Sequence, residues 1–238
     1  MCGRISLYST PERLSRIFDA ALDEEVDRDL RPSFNVPPTR PVLGVSAVRD
    51  GTGLHRRLGR YRWGLVPPWA KDLSMGNRLF NARGETVATK PSFRAAFSAR
   101  RLAVLADGFY EWEAGPGNGR RPHYFQRSDG EPLAFAGLWE RWSGPATAGR
   151  SETPLVTCTI ITTGAGADLA DIHDRMPVIL ERDALDEWLD PENKDRSELE
   201  SLITAAPAGT LAHHRVDPRV GDVRNDGPDL VEPMAGAD

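Results

Sequence analysis

Cysteine is scarce in this 238-residue chain: there are two, Cys2 and Cys158. Two thiols so far apart form no disulfide framework, and they suit a reducing cytoplasm. No apolar run approaches the roughly 20 residues that a membrane span needs. No apolar stretch of signal-peptide length follows the first methionine, so a cytoplasmic protein is expected. Cys-x-x-Cys and His-Glu-x-x-His are both missing, and the five histidines are scattered, which argues against a metal. A glycine-rich phosphate loop is also absent, so no nucleotide cofactor is expected.

What remains is the balance of an ordinary globular protein, 39% hydrophobic and 27% charged. The formal net charge of −5 disfavours a nucleic-acid partner, but its distribution points the other way. Between Arg56 and Arg101 lie eleven Arg/Lys and two acids, Asp72 and Glu85, a local balance of +9. Such asymmetry lets an acidic protein present a basic face to phosphates. Arginine supplies 27 of the 30 basic residues, which a GC-rich genome would also produce.

Thr10-Pro11-Glu12 reads as a helix start, a capping hydroxyl followed by proline at the first helical position. Leu14, Ile17, Phe18 and Leu22 follow at helical spacing. Residues 31–38 read as a rigid extended connector, and 41–48 and 54–63 as strands. A long irregular segment starts at Pro67-Pro68-Trp69 and reaches about Asn81; such segments in compact domains are often functional. A helix is expected around 85–100. Strands are expected at 102–112, 124–127, 133–142, 154–162, 176–180 and 211–216, with amphipathic helices at 183–189 and 197–203. Without repeats or a splitting linker, the chain reads as a single α+β domain over 1–232. Its expected core is a mixed, barrel-like sheet with peripheral helices, followed by a disordered tail at 233–238.

Cys2 is the most informative residue. Removal of Met1 would leave a thiol and an α-amine on adjacent carbons. Their reference pKa values, about 8.5 and about 7.7–8.0, leave each partly nucleophilic at neutral pH. A 1,2-aminothiol condenses with an aldehyde to an imine and then a five-membered thiazolidine, and the ring-opened sugar of an abasic DNA site is an aldehyde. A second-position cysteine can equally be inert.

Three other segments carry candidate chemistry. Asn81 closes the irregular basic segment and could orient a nucleophile, or simply cap a helix. Arg83 beside it, and Arg78 within the segment, are candidate phosphate contacts. Glu111 sits between two aromatics, where a carboxyl tends to a raised pKa suited to proton transfer; a surface position on an edge strand is the alternative. If it shares a strand face with Phe109 and Glu113, then Tyr110 and Trp112 share the other. His173, flanked by acids and an arginine ahead of a strand, is a candidate general acid/base, or a structural histidine. Cys158, in an apolar β run, reads as buried and structural.

Seven motifs then fall in order: Met-Cys-Gly-Arg at 1–4, Phe-Asn-Val-Pro-Pro at 34–38, Arg-Trp-Gly-Leu-Val-Pro at 62–67, Asn-Ala-Arg-Gly-Glu at 81–85, Asp-Gly-Phe-Tyr-Glu-Trp at 107–112, Asp-Ile-His-Asp-Arg-Met-Pro at 171–177 and Val-Gly-Asp-Val-Arg-Asn at 220–225. Together they resemble the SRAP family (SOS response-associated peptidase), which protects abasic sites in single-stranded DNA during the DNA damage response. The resemblance implies that Cys2, freed by autocatalytic or enzymatic removal of Met1, forms the thiazolidine crosslink. Asn81 would orient it, Glu111 act as acid/base and His173 assist sugar opening, with possible lyase-type activity. Arg4 and Arg83 would hold backbone phosphates, and Trp69 would stack on bases. No cofactor or metal is implied, the partner is single-stranded DNA containing abasic sites, and a monomer is expected. Two positions depart from the pattern: Ala70 follows Trp69 where many relatives carry a second tryptophan, and Asp222 stands where Asn is common. Two other readings stay open, an N-terminal-nucleophile cysteine peptidase and a non-covalent single-strand binder.

Overall fold

Thirteen strands and five short α-helices make up the described residues of a computed structural model, which are 2–23, 26, 31–115, 117, 119–144 and 153–234. The N-terminal part runs β1 (Ile5–Leu7), α1 (Pro11–Phe18), β2 (Ala21–Leu22), β3 (Ser33–Val36), β4 (Pro41–Asp50) and β5 (Gly53–Trp63). The middle holds β6 (Asn81–Arg83), α2 (Gly84–Val87), α3 (Arg94–Ala99), β7 (Arg101–Ala106), β8 (Gly108–Ala114), β9 (Arg120–Arg127) and β10 (Leu133–Trp142). Then come β11 (Leu155–Gly164), β12 (Arg175–Pro177), α4 (Ala184–Leu189), α5 (Arg196–Ser201) and β13 (Leu211–Arg215).

The larger sheet has the order β12-β11-β10-β7-β4-β5-β2. Its strand β5 also pairs in parallel with β11, Arg62 opposite Thr157 and Trp63 opposite Cys158, which closes five strands into a ring. The smaller sheet has the order β13-β9-β8-β1-β3. The expected α+β class with a barrel-like sheet and peripheral helices is therefore the observed one.

Alternation sorts the barrel side chains between two cores, as the two-residue period of a strand requires. Leu102, Val104 and Ala106 of β7 join Phe135, Trp63 and Cys158 in a core shared with Ile5, Phe109 and Phe125 of the smaller sheet. Ala103 and Leu105 join Leu14, Phe18, Phe93, Leu185 and Trp188 beneath the helices. Burial on both faces is why β7 reads as an unbroken apolar run. Cys158 is fully buried here, as expected.

Several sequence expectations are corrected. The α1 helix is capped by Thr10, whose side chain accepts the Arg13 N–H. It ends at Asp19 in a left-handed conformation (φ 47°), so Leu22 leaves the helical face and pairs with Leu58 in β2. The connector at 31–38 is extended but is itself partly a strand, β3, paired with β1. The helix expected at 85–100 is two helices, α2 and α3, with Pro91 between them denying the helix an N–H donor. The run 102–112 breaks at Asp107 into strands of different sheets. The strand expected at 176–180 shortens to β12 and a single bridge between Phe135 and Ile179. Met234 still donates its N–H to Arg215 O at 2.9 Å, and 235–238 of the expected tail lie outside the described residues.

The +9 count is also smaller in space than in sequence. Arg56 pairs with Asp186, Arg57 with Asp23 and Arg100 with Glu140, all acids from outside the segment. Arg101 is buried and donates to the carbonyls of Phe97, Trp188, Asp190 and Asn193. It serves the carbonyl ends of α3 and α4, a cation's favoured place. No helix among the described residues is long and apolar enough to cross a membrane.

Candidate active site

The site is assembled around β1. That strand lies between β3 and β8, with Ile5 opposite Val36 on one side and Phe109 on the other. Chain termini are poorly ordered unless tied down in this way. Its exit is fixed by Asp107, whose carboxylate accepts the N–H groups of Tyr8 and Ser9 at 2.6 and 2.7 Å, and the Ser9 hydroxyl. The same residue turns the chain from β7 into β8. Cys2, just ahead of β1, is fully buried in the core between the sheets.

Asn81 reaches this point from the far side of the sequence. It opens β6, which lies parallel to β11 with Asn81 opposite Ile160. Its Nδ2 donates to the Cys2 carbonyl at 2.6 Å, while its buried Oδ1 has no hydrogen-bond partner among the described residues. The helix-cap alternative fails, because the capping position of α2 belongs to Arg83.

Glu111 is on β8, between β9 and β1, and is 3% exposed, so the edge-strand alternative also fails. Phe109 packs in the core that holds Cys2 and Tyr110 in a separate one with Val216 and Leu230, so the expected two faces of β8 are real. Burial raises the Glu111 carboxyl from 4.5 to about 7, against the pull of the positive amino terminus of the chain. Burial first, and then the Glu111 carboxylate, push the Cys2 thiol well above its usual value. The thiol is therefore a neutral S–H in this environment, and Glu111 is poised to exchange a proton near pH 7.

His173 approaches from the loop before β12. Burial, and then the positive amino terminus, lower its pKa, so the ring is neutral. Its Nδ1 accepts the Arg175 N–H at 2.9 Å, which places the ring proton on Nε2. An accepting Nδ1 cannot also donate to Asp174, which lies at 3.0 Å.

Glu85 and Arg175 join two motifs that the sequence leaves separate. They form a two-pronged ion pair, and Arg175 Nη2 also donates to Thr162 O at 2.7 Å. The pair clamps β6 and β12, which carry Asn81 and follow His173, onto the shared strand β11. Charge order alone, an acid closing one motif and a base within another, was the available signal.

The candidate DNA contacts divide. Arg4 is half-buried and tied to the protein: its Nη1 donates to Asn35 Oδ1 and Val220 O, each at 2.6 Å, and its guanidinium lies 5.8 Å from the Trp112 ring centroid. Asn35 in turn donates to the carbonyls of Val220, Asp222 and Asn225. This gives Asp222 a setting, since its backbone carries that bond while its side chain pairs with Arg224. Trp69 is 59% exposed and lines a cavity of about 290 Å³ together with Lys71 and Arg78. Gly64 makes the fold of this segment possible: at φ +124° a Cβ there would lie 2.5 Å from Gly76 O. Ala70 is buried, its carbonyl accepting from Trp142 Nε1 at 3.0 Å. Arg83 is exposed at the end of β6, two residues from Asn81. No group of three or more metal-ligating side chains occurs among the described residues.

A cysteine at position 2, an amide on its carbonyl, a carboxyl that burial raises to about 7 and a neutral imidazole thus share one neighbourhood of the fold. The chain belongs to the SOS response associated peptidase (SRAP) family, whose model matches residues 1–223. It is 39% identical over 233 residues to the abasic site processing protein YoqW of Bacillus subtilis, covering 98% of this chain and 99% of that one. It is 34% identical to the abasic site processing protein HMCES of Gallus gallus, covering 98% of this chain and 78% of the relative. Its backbone matches a crystal structure of a Bacteroides thetaiotaomicron protein with a TM-score of 0.84 at 22% identity, over 98% of this chain and 100% of that one, a likeness of fold.

Proposed function

We propose that this protein captures abasic sites in single-stranded DNA as a covalent adduct of Cys2, once Met1 has been removed. The observation that carries the reading is the 2.6 Å bond from Asn81 Nδ2 to the Cys2 carbonyl, which holds the N-terminal residue beside Glu111. The names of the relatives supply the substrate class.

The chemistry balances without redox. Neutral His173 donates a hydrogen bond from Nε2 to the sugar ring oxygen as the abasic deoxyribose opens to its aldehyde: the C1′–O4′ bond breaks, water takes the C1′ hydroxyl proton, and O4′ receives a proton from water to become the C4′ hydroxyl. Glu111, as carboxylate, takes a proton from the Cys2 ammonium, and the free amine adds to the aldehyde carbon. Glu111 returns that proton to the departing oxygen, and water leaves as the imine forms. The thiol then adds across the C=N bond: the S–C bond forms, the S–H proton ends on nitrogen, and the five-membered ring closes. A thiol kept neutral by burial suits this order, with the amine attacking first. Peptidase activity, on this reading, is confined to removing Met1.

Intact mass of the purified protein, before and after mixing with an abasic oligonucleotide, tests the proposal. The native protein gains the mass of the oligonucleotide less one water, and Cys2→Ala gains nothing. Normal adduct yield from Cys2→Ala removes the proposal.

A further inference from the structure

A second cavity, of about 280 Å³, opens between β3 and the β4–β5 pair, and Arg31, Arg40 and Arg60 line it. All three are exposed, and no ion pair among the described residues takes any of them. Their neighbours Arg56 and Arg57 are paired with Asp186 and Asp23, so the difference is local. The one carboxylate of the lining, Asp226, is already engaged: it accepts from Ser33 Oγ at 2.9 Å and from the Phe34 N–H at 2.6 Å. Three guanidinium groups around a concave surface whose lining holds one carboxylate leave an excess of positive charge, and among the described residues no ion pair offsets it, so the cavity forms an anion site.

The cavity adjoins the candidate active site. Asn35 is part of its lining and accepts from Arg4, two residues from Cys2. Val36, also in the lining, packs in the core that buries Cys2. On the other flank, β5 carries Arg60 outward and Arg62 half-buried, with Tyr61 and Trp63 buried between and after them. Arg62 then reaches Asn77 at 3.5 Å, in the segment that bears Trp69 and Arg78. Arg31, Arg40, Arg60 and Arg62, none of them in an ion pair among the described residues, therefore lead from this cavity toward the Trp69 cavity.

We infer that Arg31, Arg40 and Arg60 form a phosphate subsite that holds the polynucleotide flanking the lesion. The inference rests on the proposed function above and adds where the strand continues. Guanidinium groups on backbone phosphates carry no base preference, so the subsite is sequence-independent. Its role is capture, ahead of the covalent step.

Fluorescence anisotropy with undamaged labelled oligonucleotides between 50 and 200 mM salt tests this. The native protein is compared with Arg31→Gln/Arg40→Gln/Arg60→Gln and with Arg16→Gln, an exposed arginine on α1. Three lost phosphate contacts lower the slope of log K against log salt by about 2, so native affinity falls about twentyfold further than that of the triple variant over this range. Arg16→Gln behaves as native. Extending the oligonucleotide on one side of its centre strengthens native binding and leaves the triple variant unchanged. An unchanged slope in the triple variant overturns the inference, as does an acidic peptide binding the native protein as tightly as DNA. Adduct mass with a short abasic oligonucleotide is measured alongside; its absence from native protein would sink the covalent reading, while the anisotropy still decides the subsite.

Discussion

Glu111→Gln should stabilise the protein at pH 8 and change little near pH 4. The carboxyl is 3% exposed and raised from 4.5 to about 7, chiefly by burial. At about 1.36 kcal/mol per pH unit, that displacement is worth about 3 kcal/mol. The sign follows from proton uptake. Between pH 4.5 and 7 the folded state keeps the proton and the unfolded state has released it, so stability falls as pH rises through this window. Above pH 7 both states are ionised and the cost of the buried carboxylate is fully present. Glutamine has the same shape and no charge to bury, so it removes the cost only where there is one. Urea unfolding of both proteins at pH 4.5, 6 and 8 reads the effect as a midpoint difference that grows with pH. At the same time the rate of adduct formation at pH 7 should drop about a hundredfold or more, the usual loss of a general acid/base. Equal unfolding midpoints at all three pH values, or a variant less stable at pH 8, would refute the claim that Glu111 is held against its own ionisation.

Trp69→Ala should leave the melting temperature unchanged, because the ring is 59% exposed, and should weaken binding of undamaged single strands about tenfold in anisotropy. Asp107→Ala should cost about 3 kcal/mol or more, since it strands the buried Ser9 N–H and the Tyr8 N–H that the carboxylate now accepts. Asp107→Asn keeps an acceptor for both and should cost about 1 kcal/mol; thermal melts that rank the two equally would contradict this account.

How much of this was legible depended on whether a signal was local. The Thr10 cap, the alternation around Glu111 and the apolar runs of β7, β10 and β11 are local patterns, and the elements formed where those patterns lie. Burial on both faces hid the break at Asp107: one apolar run passes from the barrel into the smaller sheet, and periodicity has no mark for a corner made by one carboxylate. The charge argument failed for a similar reason. Arg56, Arg57 and Arg100 meet acids far away in sequence, and Arg101 ends inside the protein, so a windowed count overstated the basic face. Conversely, Arg31 and Arg40 lie outside that window yet line the unpaired cavity with Arg60. Cys2, Asn81, Glu111 and His173 could each be singled out as candidates from their sequence neighbours; the ion pair of Glu85 with Arg175, which sets β6 and β12 on either flank of β11, needed the topology.

The proposed use of Cys2 as a reactive N-terminus poses a physical problem, because the end of a chain is ordinarily the part least able to hold a geometry. Here the order comes from pairing on both sides of a three-residue strand whose residues are all buried, from the Asp107 carboxylate that anchors its exit and from Asn81 on the carbonyl of Cys2. None of these bonds uses the thiol or the α-amine. The backbone of Cys2 is thus fixed through its carbonyl, while its sulfur meets the Arg4 backbone, and the buried carboxylate beside it costs stability rather than adding it. Fixing the residue and activating it are handled by different groups, so substitutions at Asn81 and Glu111 should fail differently: the first in adduct yield at every pH, the second in the pH dependence of its rate.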